Sequence, residues 1–376
     1  MLTIERIDTE NKKQVKRFVE LPHKLYRDCP QWVPLLNIDA YTYLDRSKHP
    51  FHEHSDVEFF LAVRDGRDVG RIAAIENKPF NDYHKTRDAN FYFFDSEDDL
   101  EVAVALFKAV SDWARERGLD EVVGPKGMGP LDGYGVLILG HEHRNTMTML
   151  NYNHAYYQNL VEAQGFEKEV DFVSCYLPAD KFKIPERVER ITQRVMQRGG
   201  LSIKHFKNKR ELVSWAPRIG DAYNKAFVNN WEYYPFTPRE INFVVDNIMT
   251  IADHRLIKVI VHGDEVVGFL FAFHDVSAAL QRSKGRLFPF GIIDLLLEIR
   301  RTNTVSVNGM GILPEFQGHG GNAILYFEMG HTLLDFKQFA HVEMTQVAET
   351  AEQMRADLKN LNGIEYKNHR VYRKHV

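Results

Sequence analysis

The chain has 376 residues, 44% of them hydrophobic and 27% charged, which excludes a disordered polymer and exceeds what one ordinary core needs. Lys and Arg number 48 against 52 Asp and Glu, a formal charge of −4. With no basic excess, nucleic acid is not expected as a partner.

In chain order, Leu2–Ile7 alternates as an opening strand, and the residues around it hold no apolar stretch of the signal-peptide kind. Val57–Val63, the pair Asp65-Gly66, and Asp68–Ala73 read as a hairpin, because Asp and Gly accept the positive φ of tight turns. A strand at Asn90–Asp95 then runs into the acidic turn Ser96–Leu100. Val102, Leu106, Ala109, Val110 and Trp113 follow on one helical face, and a short helix closes at Gly165-Phe166.

The same order recurs in the second half. Leu201–Phe206 opens it, Leu256–Val261 and Val266–Phe271 flank Gly263-Asp264, and a last short helix ends at Gly363-Ile364. The turn glycines at 66 and 263 lie 197 residues apart, and the closing glycines at 165 and 363 lie 198 apart. Matching offsets from independent signals predict an internal repeat. The expected division is a first domain over 1–180, a linker over 181–200 and a second domain over 201–376. The linker carries a basic helix, Arg187 to Arg198, read as a solvated face. Each domain is expected to be α/β (α+β), a mixed and mostly antiparallel sheet flanked by helices.

Between the second hairpin and the next strand, Phe288–Ile299 is the most apolar stretch, broken by Asp294 and Glu298 and too short to span a bilayer. Ile292, Ile293, Leu295, Leu296, Leu297 and Ile299 cover more than one helical face. Burying four such side chains is worth roughly 6–12 kcal/mol, so the segment is expected to cover something. Its own sheet, a homodimer mate, an acyl chain under a lid and a membrane surface are the alternatives.

The chemistry lies in Val305–Leu325, where a strand enters a glycine-rich turn that opens a helix. Successive N–H groups at a helix start, with glycines allowing close approach, form a cradle suited to a pyrophosphate. Pro314-Glu315-Phe316, then Gln317-Gly318-His319-Gly320-Gly321-Asn322-Ala323, resembles the signature of the GNAT acyltransferase superfamily. The signature places a small residue where Asn322 stands, with Ala323 one position late. As a whole the chain resembles bacterial tandem members of that superfamily.

That resemblance implies two tandem GNAT-like domains and an acyl-CoA co-substrate, acetyl or longer, held by Gly311, Ile312, Leu313, Gln317, Gly318, His319, Gly320, Gly321, Asn322 and Ala323. It implies direct N-acyl transfer to an amine of a small molecule or peptide, without metal. The backbone N–H of Met310, between Gly309 and Gly311, is the candidate oxyanion donor. Glu343, in the β-like run His341–Thr345, is the candidate base. Trp231, Tyr233 and Tyr234 fall where the superfamily borders its acceptor site. The tyrosine that often protonates the leaving thiolate has no counterpart in Lys359–Ile364. In the first copy, Glu97, Asp98 and Asp99 fill the corresponding turn, which is expected to be coenzyme-free. The rival readings are a GNAT-fold scaffold with weak or no turnover and a peptidyltransferase drawing on aminoacyl-tRNA.

Cys29 and Cys175 are the only cysteines and show no CxxC spacing, which fits a reducing cytosol and excludes a thiolate metal site. His49, His52 and His54, and the pair His141 and His143, do not place two ligands one helical turn apart, so no metal is expected.

Overall fold

The computed structural model describes residues 1–376 apart from 130–131, 147–149, 180–182, 229, 232 and 250. The first half forms β1 (Leu2–Arg6), α1 (Lys12–Leu25), α2 (Asn37–Leu44), β2 (Asp56–Arg64), β3 (Arg67–Glu76), α3 (Lys78–His84), β4 (Asp88–Ser96), α4 (Leu100–Glu116), β5 (Glu121–Gly124), β6 (Val136–Leu139), α5 (Tyr156–Glu162) and β7 (Glu167–Pro178). There follow α6 (Glu186–Arg198), β8 (Ser202–Lys204), α7 (Lys209–Ala226), α8 (Pro238–Ile248), β9 (Ile257–His262), β10 (Glu265–His274), α9 (Ser277–Ser283) and α10 (Gly291–Arg301). The chain ends with β11 (Thr304–Ile312), α11 (Gly321–Phe336), β12 (His341–Ala348), α12 (Glu352–Asn360) and β13 (Ile364–His375).

Two compact units result, and neither is one continuous stretch of chain. The first gathers Met1–Val173, Val276–Leu297 and Tyr366–Val376; the second gathers Ser174–Asp275 and Glu298–Glu365. A division by sequence order, at 180 to 200, follows connectivity. Strand pairing instead assigns most of β13 to the first unit.

In the first unit the strand order is β1-β2-β3-β4-β5-β13, with β6 also on β13. All these pairs are antiparallel except β4–β5, which is parallel. Alternation sends Phe60, Ala62, Ile72, Ala74 and Phe91 into a core with Val102, Leu106 and Val110 of α4. It sends Phe59, Leu61, Ala73 and Ile75 into another core with Phe18 and Leu21 of α1. The β2–β3 turn has Asp65 at φ 51 and Gly66 at φ 77, the positive pair of a type I′ hairpin.

The inserted β13 is held by charge as well as by its ladder. Arg370 grips Asp171 through Nε and Nη2 at 2.8 and 3.0 Å, and Arg373 grips Glu169 at 2.8 and 3.0 Å. Val371 and Tyr372 are buried, and the Tyr372 hydroxyl donates to Glu162 at 2.9 Å.

In the second unit, β12-β11-β10-β9-β8 is the corresponding run, with the parallel pair again being the one joined by a crossover helix. Its core packs Ile324, Leu325 and Met329 of α11 on Ile260, Leu270, Val305 and Met310. On the opposite face Tyr223 and Phe227 of α7 meet the Phe269 ring.

The apolar insertion behaves differently from its sequence expectation. Leu295 is buried, but Phe288, Phe290, Ile293, Leu296 and Leu297 remain exposed. The segment therefore does not spend its apolar surface on the chain's own sheet. No described helix is long and apolar enough to cross a membrane.

One histidine makes the seating of β13 sensitive to pH. His369 is fully buried, and its Nε2 donates to the Asn151 carbonyl at 2.9 Å. Burial lowers its pKa from 6.5 to about 4. The neutral ring's contribution to stability is therefore complete above about pH 6.5 and is lost as pH falls towards 4. The thermal midpoint should drop over that window, and His369→Asn should flatten the slope; identical slopes for the two proteins would acquit His369.

Candidate active site

The second unit's site begins with a defect in β11. Phe271 faces Gly309 and Ala272 faces Val307, so Asn308 is an extra residue on β11. Gly309 takes φ 156, and a bulge of this kind bends the strand that carries it. The parallel ladder between β11 and β12 runs from Thr304–His341 to Val307–Met344 and stops there, although both strands continue. The two strands diverge at the bulge, and Met310 lies on the diverged arm. The other candidate glycine, Gly311, has a different role: a Cβ there would stand 2.6 Å from the Phe269 ring and 3.0 Å from Ala226.

At the base of the cleft the register sets Ser306 beside Glu343. Both are buried, as is Asn308, whose Oδ1 accepts from the Ser306 hydroxyl at 2.8 Å. Thr345 donates to the Val307 carbonyl at 3.2 Å. A carboxylate thus stands where the strands part.

After β11, Leu313–Gln317 makes a tight turn in which Gln317 Nε2 donates to the Ile312 carbonyl at 3.1 Å. Gly320 then caps α11 at φ 86, with no side-chain cap and no acidic residue in the first turn. The first N–H groups of a helix have no internal acceptor, and here the N-cap residue supplies none. A Cβ on Gly320 would lie 2.7 Å from Val195 and 3.0 Å from Ile191 of α6. The expected linker helix therefore packs on the cradle. Arg187, Arg194 and Arg198, each three or four residues from Ile191 or Val195, flank the same face and are exposed. These cations are solvent-exposed, as expected of a solvated face, and the apolar pair set four apart among them is what docks α6.

The departure at Asn322 has a structural partner. Asn322 Nδ2 donates to Asp357 Oδ2 of α12 at 2.8 Å, and one turn on the Tyr326 hydroxyl reaches the same oxygen at 3.4 Å. Burial first, then Asp357, pushes the Tyr326 phenol well above its ordinary pKa. It remains a donor throughout the physiological range.

The first unit repeats the divergence without the cradle. In its β4, Phe93 and Phe94 together face the single residue Ile72 of β3, one residue too many, and the β4–β5 ladder stops at Asn90–Val123. But α4 is capped by Asp99, which accepts from the Glu101 and Val102 amides and is gripped by Arg64. The chain's own carboxylate fills that anion position. In the first unit's cleft lies a cavity of about 130 Å³ lined by Trp32, Tyr92, Phe93, Pro125 and Val136, with Arg71 and Asp95. Arg71 Nε donates to Asp95 at 2.8 Å.

Of the aromatic candidates, Tyr233 and Tyr234 are buried. Tyr234 donates to Glu240, the carboxylate that closes the α8 capping box. Trp231 is half-buried. Among the described residues no group of three His, Cys, Asp or Glu side chains is placed to hold a metal.

The Asn322–Asp357–Tyr326 cluster should carry stability. Asp357→Ala takes an acceptor from two half-buried donors and should cost about 1–2 kcal/mol. Urea denaturation measures this, and a cost near zero would mean the cluster contributes only orientation.

No family model matches the sequence. The chain is 29% identical over 377 residues to a bacterial ceramide synthase of Caulobacter vibrioides, spanning 98% of this chain and 96% of that one. It is 24% identical to protein YghO of Escherichia coli, spanning 97% and 94%. A tandem GNAT protein from the clavulanic acid biosynthesis pathway superposes over 100% of this chain and 98% of its own, with TM-score 0.57 and 12% identity. A GCN5-related N-acetyltransferase of Anabaena variabilis superposes over 100% and 72%, with TM-score 0.52 and 11% identity. Two strand–crossover–strand units with diverged parallel pairs, matched end to end by a tandem GNAT structure, give this chain the tandem GNAT fold.

Proposed function

We propose that this chain is an acyl-CoA-dependent N-acyltransferase that carries its coenzyme on the second unit and joins a long acyl group to the amine of a long-chain amino alcohol. The observation that carries the coenzyme assignment is the contrast between two helix starts. α11 has no cap of its own, whereas α4 is filled by Asp99. A pyrophosphate would receive the N–H groups of Gly318 to Ala323 and the positive end of the helix dipole. The arginines of α6 would add charge beside it.

The substrate class rests on similarity along almost the whole chain to a protein named as a ceramide synthase. A ceramide is the amide of a fatty acid and a long-chain amino alcohol. In the reaction the amine nitrogen bonds to the thioester carbonyl carbon and the carbon–sulfur bond breaks. Glu343 takes the proton released by nitrogen, and the N–H of Met310 stabilises charge developing on the carbonyl oxygen. The departing thiolate collects a proton from water or from a neighbouring donor. The site requires no metal for any of these roles.

Release of free CoA, measured with sphinganine as acceptor and acetyl-, octanoyl- and palmitoyl-CoA as donors, tests the proposal. Turnover should favour the longer donors, and Glu343→Gln should lower kcat by about 10²–10⁴-fold. Calorimetry should find one coenzyme per chain; two would overturn the assignment of the first unit. Coenzyme binding with no release across an amine panel would favour the scaffold reading.

A further inference from the structure

The exposed apolar face of the first unit has cations along one edge. Phe288 is 78% exposed and Phe290 75%, with Ile293 and Leu296 at 54% and 51% on the first turns of α10. Lys284 and Arg286 precede this face and are exposed. The acid within the face, Asp294, is already held by Arg282 through two bonds of 2.9 Å. The face is thus apolar with a cationic edge.

It also continues onto a neighbouring segment. The Asn37 amide donates to the Gly285 carbonyl at 2.8 Å, and a Cβ on Gly285 would lie 2.2 Å from the Leu35 carbonyl oxygen. That close contact sets the exposed Leu35 and Ile38 beside the same surface. Leu35 and Asn37 line the first unit's cavity as well. His23 on the cavity wall is held below its ordinary pKa by burial first, and by Arg71, Arg286 and Lys284 in addition. The cations therefore stand at the rim.

We propose that this face docks the first unit on an anionic lipid bilayer. Phe288, Phe290, Ile293 and Leu296 enter the boundary between headgroups and acyl chains, while Lys284 and Arg286 stay with the phosphates. A second copy of the chain is a poorer occupant. In a two-fold contact the same patch faces itself, so Lys284 and Arg286 would find no free acid opposite them, since the acid in the face, Asp294, is already committed to Arg282. A bilayer also suits the position of the cavity, whose rim would open at the lipid surface. The docking does not depend on the acyl-transfer reading.

The full chain should float with vesicles of phosphatidylglycerol mixed with phosphatidylethanolamine and bind pure phosphatidylcholine vesicles weakly. Replacing Phe288 and Phe290 with Ser should weaken binding roughly tenfold or more, and each of Lys284→Gln and Arg286→Gln about fivefold. Because these side chains are exposed, melting temperatures should not move, and Phe290→Trp should show a blue-shifted emission on anionic vesicles. Failure of the unaltered chain to bind anionic vesicles overturns the proposal, as does binding that ignores the Phe changes. Sedimentation showing a dimer that the Phe changes dissociate would assign the face to a second copy. CoA release from a short-chain donor, measured without lipid, reports on the transfer reading separately.

Discussion

The N–H groups at the start of a helix must find an acceptor, and this chain meets that requirement in two opposite ways. In α4 the requirement is met internally: Asp99 accepts two amides and Arg64 balances its charge. In α11 the capping position is Gly320 in the left-handed region, with Val195 and Ile191 occupying the space a side chain would take. An internal carboxylate cannot be placed at that position without moving α6. The N-cap of α11 therefore offers its donors no side-chain acceptor, and the packing of α6 against Gly320 keeps it so.

The second constraint is the bulge. A parallel pair joined by a helix would normally remain paired along its length, burying its backbone groups. The one extra residue in each strand, within 93–94 of β4 and at 308 of β11, bends one partner away, and both ladders end within three residues of the distortion. The two units share this geometry but use it differently. In the second, Glu343, Ser306 and Asn308 sit at the point of parting beside an open helix start. In the first, aromatic side chains and a buried ion pair surround a cavity next to a closed one.

Much of this was legible in the sequence because it is local. The hairpin residues Asp65-Gly66 and Gly263-Asp264, the apolar stripe of α4, and the strand–glycine–helix run of Val305–Leu325 each depend on neighbours within a few residues. The acidic turn of the first copy is equally local, and Asp99 of that turn caps α4. What sequence could not give depends on distant partners. Most of β13 lies with the first unit because Tyr372 and Arg373 pair with Gly124 and Val123, some 250 residues earlier. Asn322 looked like a flaw in a motif, and its partner Asp357 lies 35 residues away on another helix. The segment after Phe288 shows the limit of area arguments. Its apolar side chains were expected to be covered, and the chain leaves most of them exposed.

Arg71 and Asp95 explain why the first unit's cleft stays open instead of filling with apolar side chains. A buried guanidinium needs an opposite charge and partners for most of its donors. Arg71 meets this with Asp95, with the Phe18 carbonyl at 2.8 Å, and with the faces of Phe18 and Phe93 at 4.9 and 5.2 Å. Asp95 is held in turn by the Tyr26 hydroxyl, which donates to it at 2.8 Å and accepts from the Tyr157 hydroxyl at 2.9 Å. These partners come from α1, β4 and α5, so the walls cannot collapse inward without breaking several bonds together. Removing one partner of such a pair typically costs about 3–5 kcal/mol because the other charge is left uncompensated. The third guanidinium nitrogen, Nη2, makes no hydrogen bond among the described residues, and Arg71 lines the cavity. The network that keeps the cleft from closing thus leaves one cationic donor available to whatever fills it.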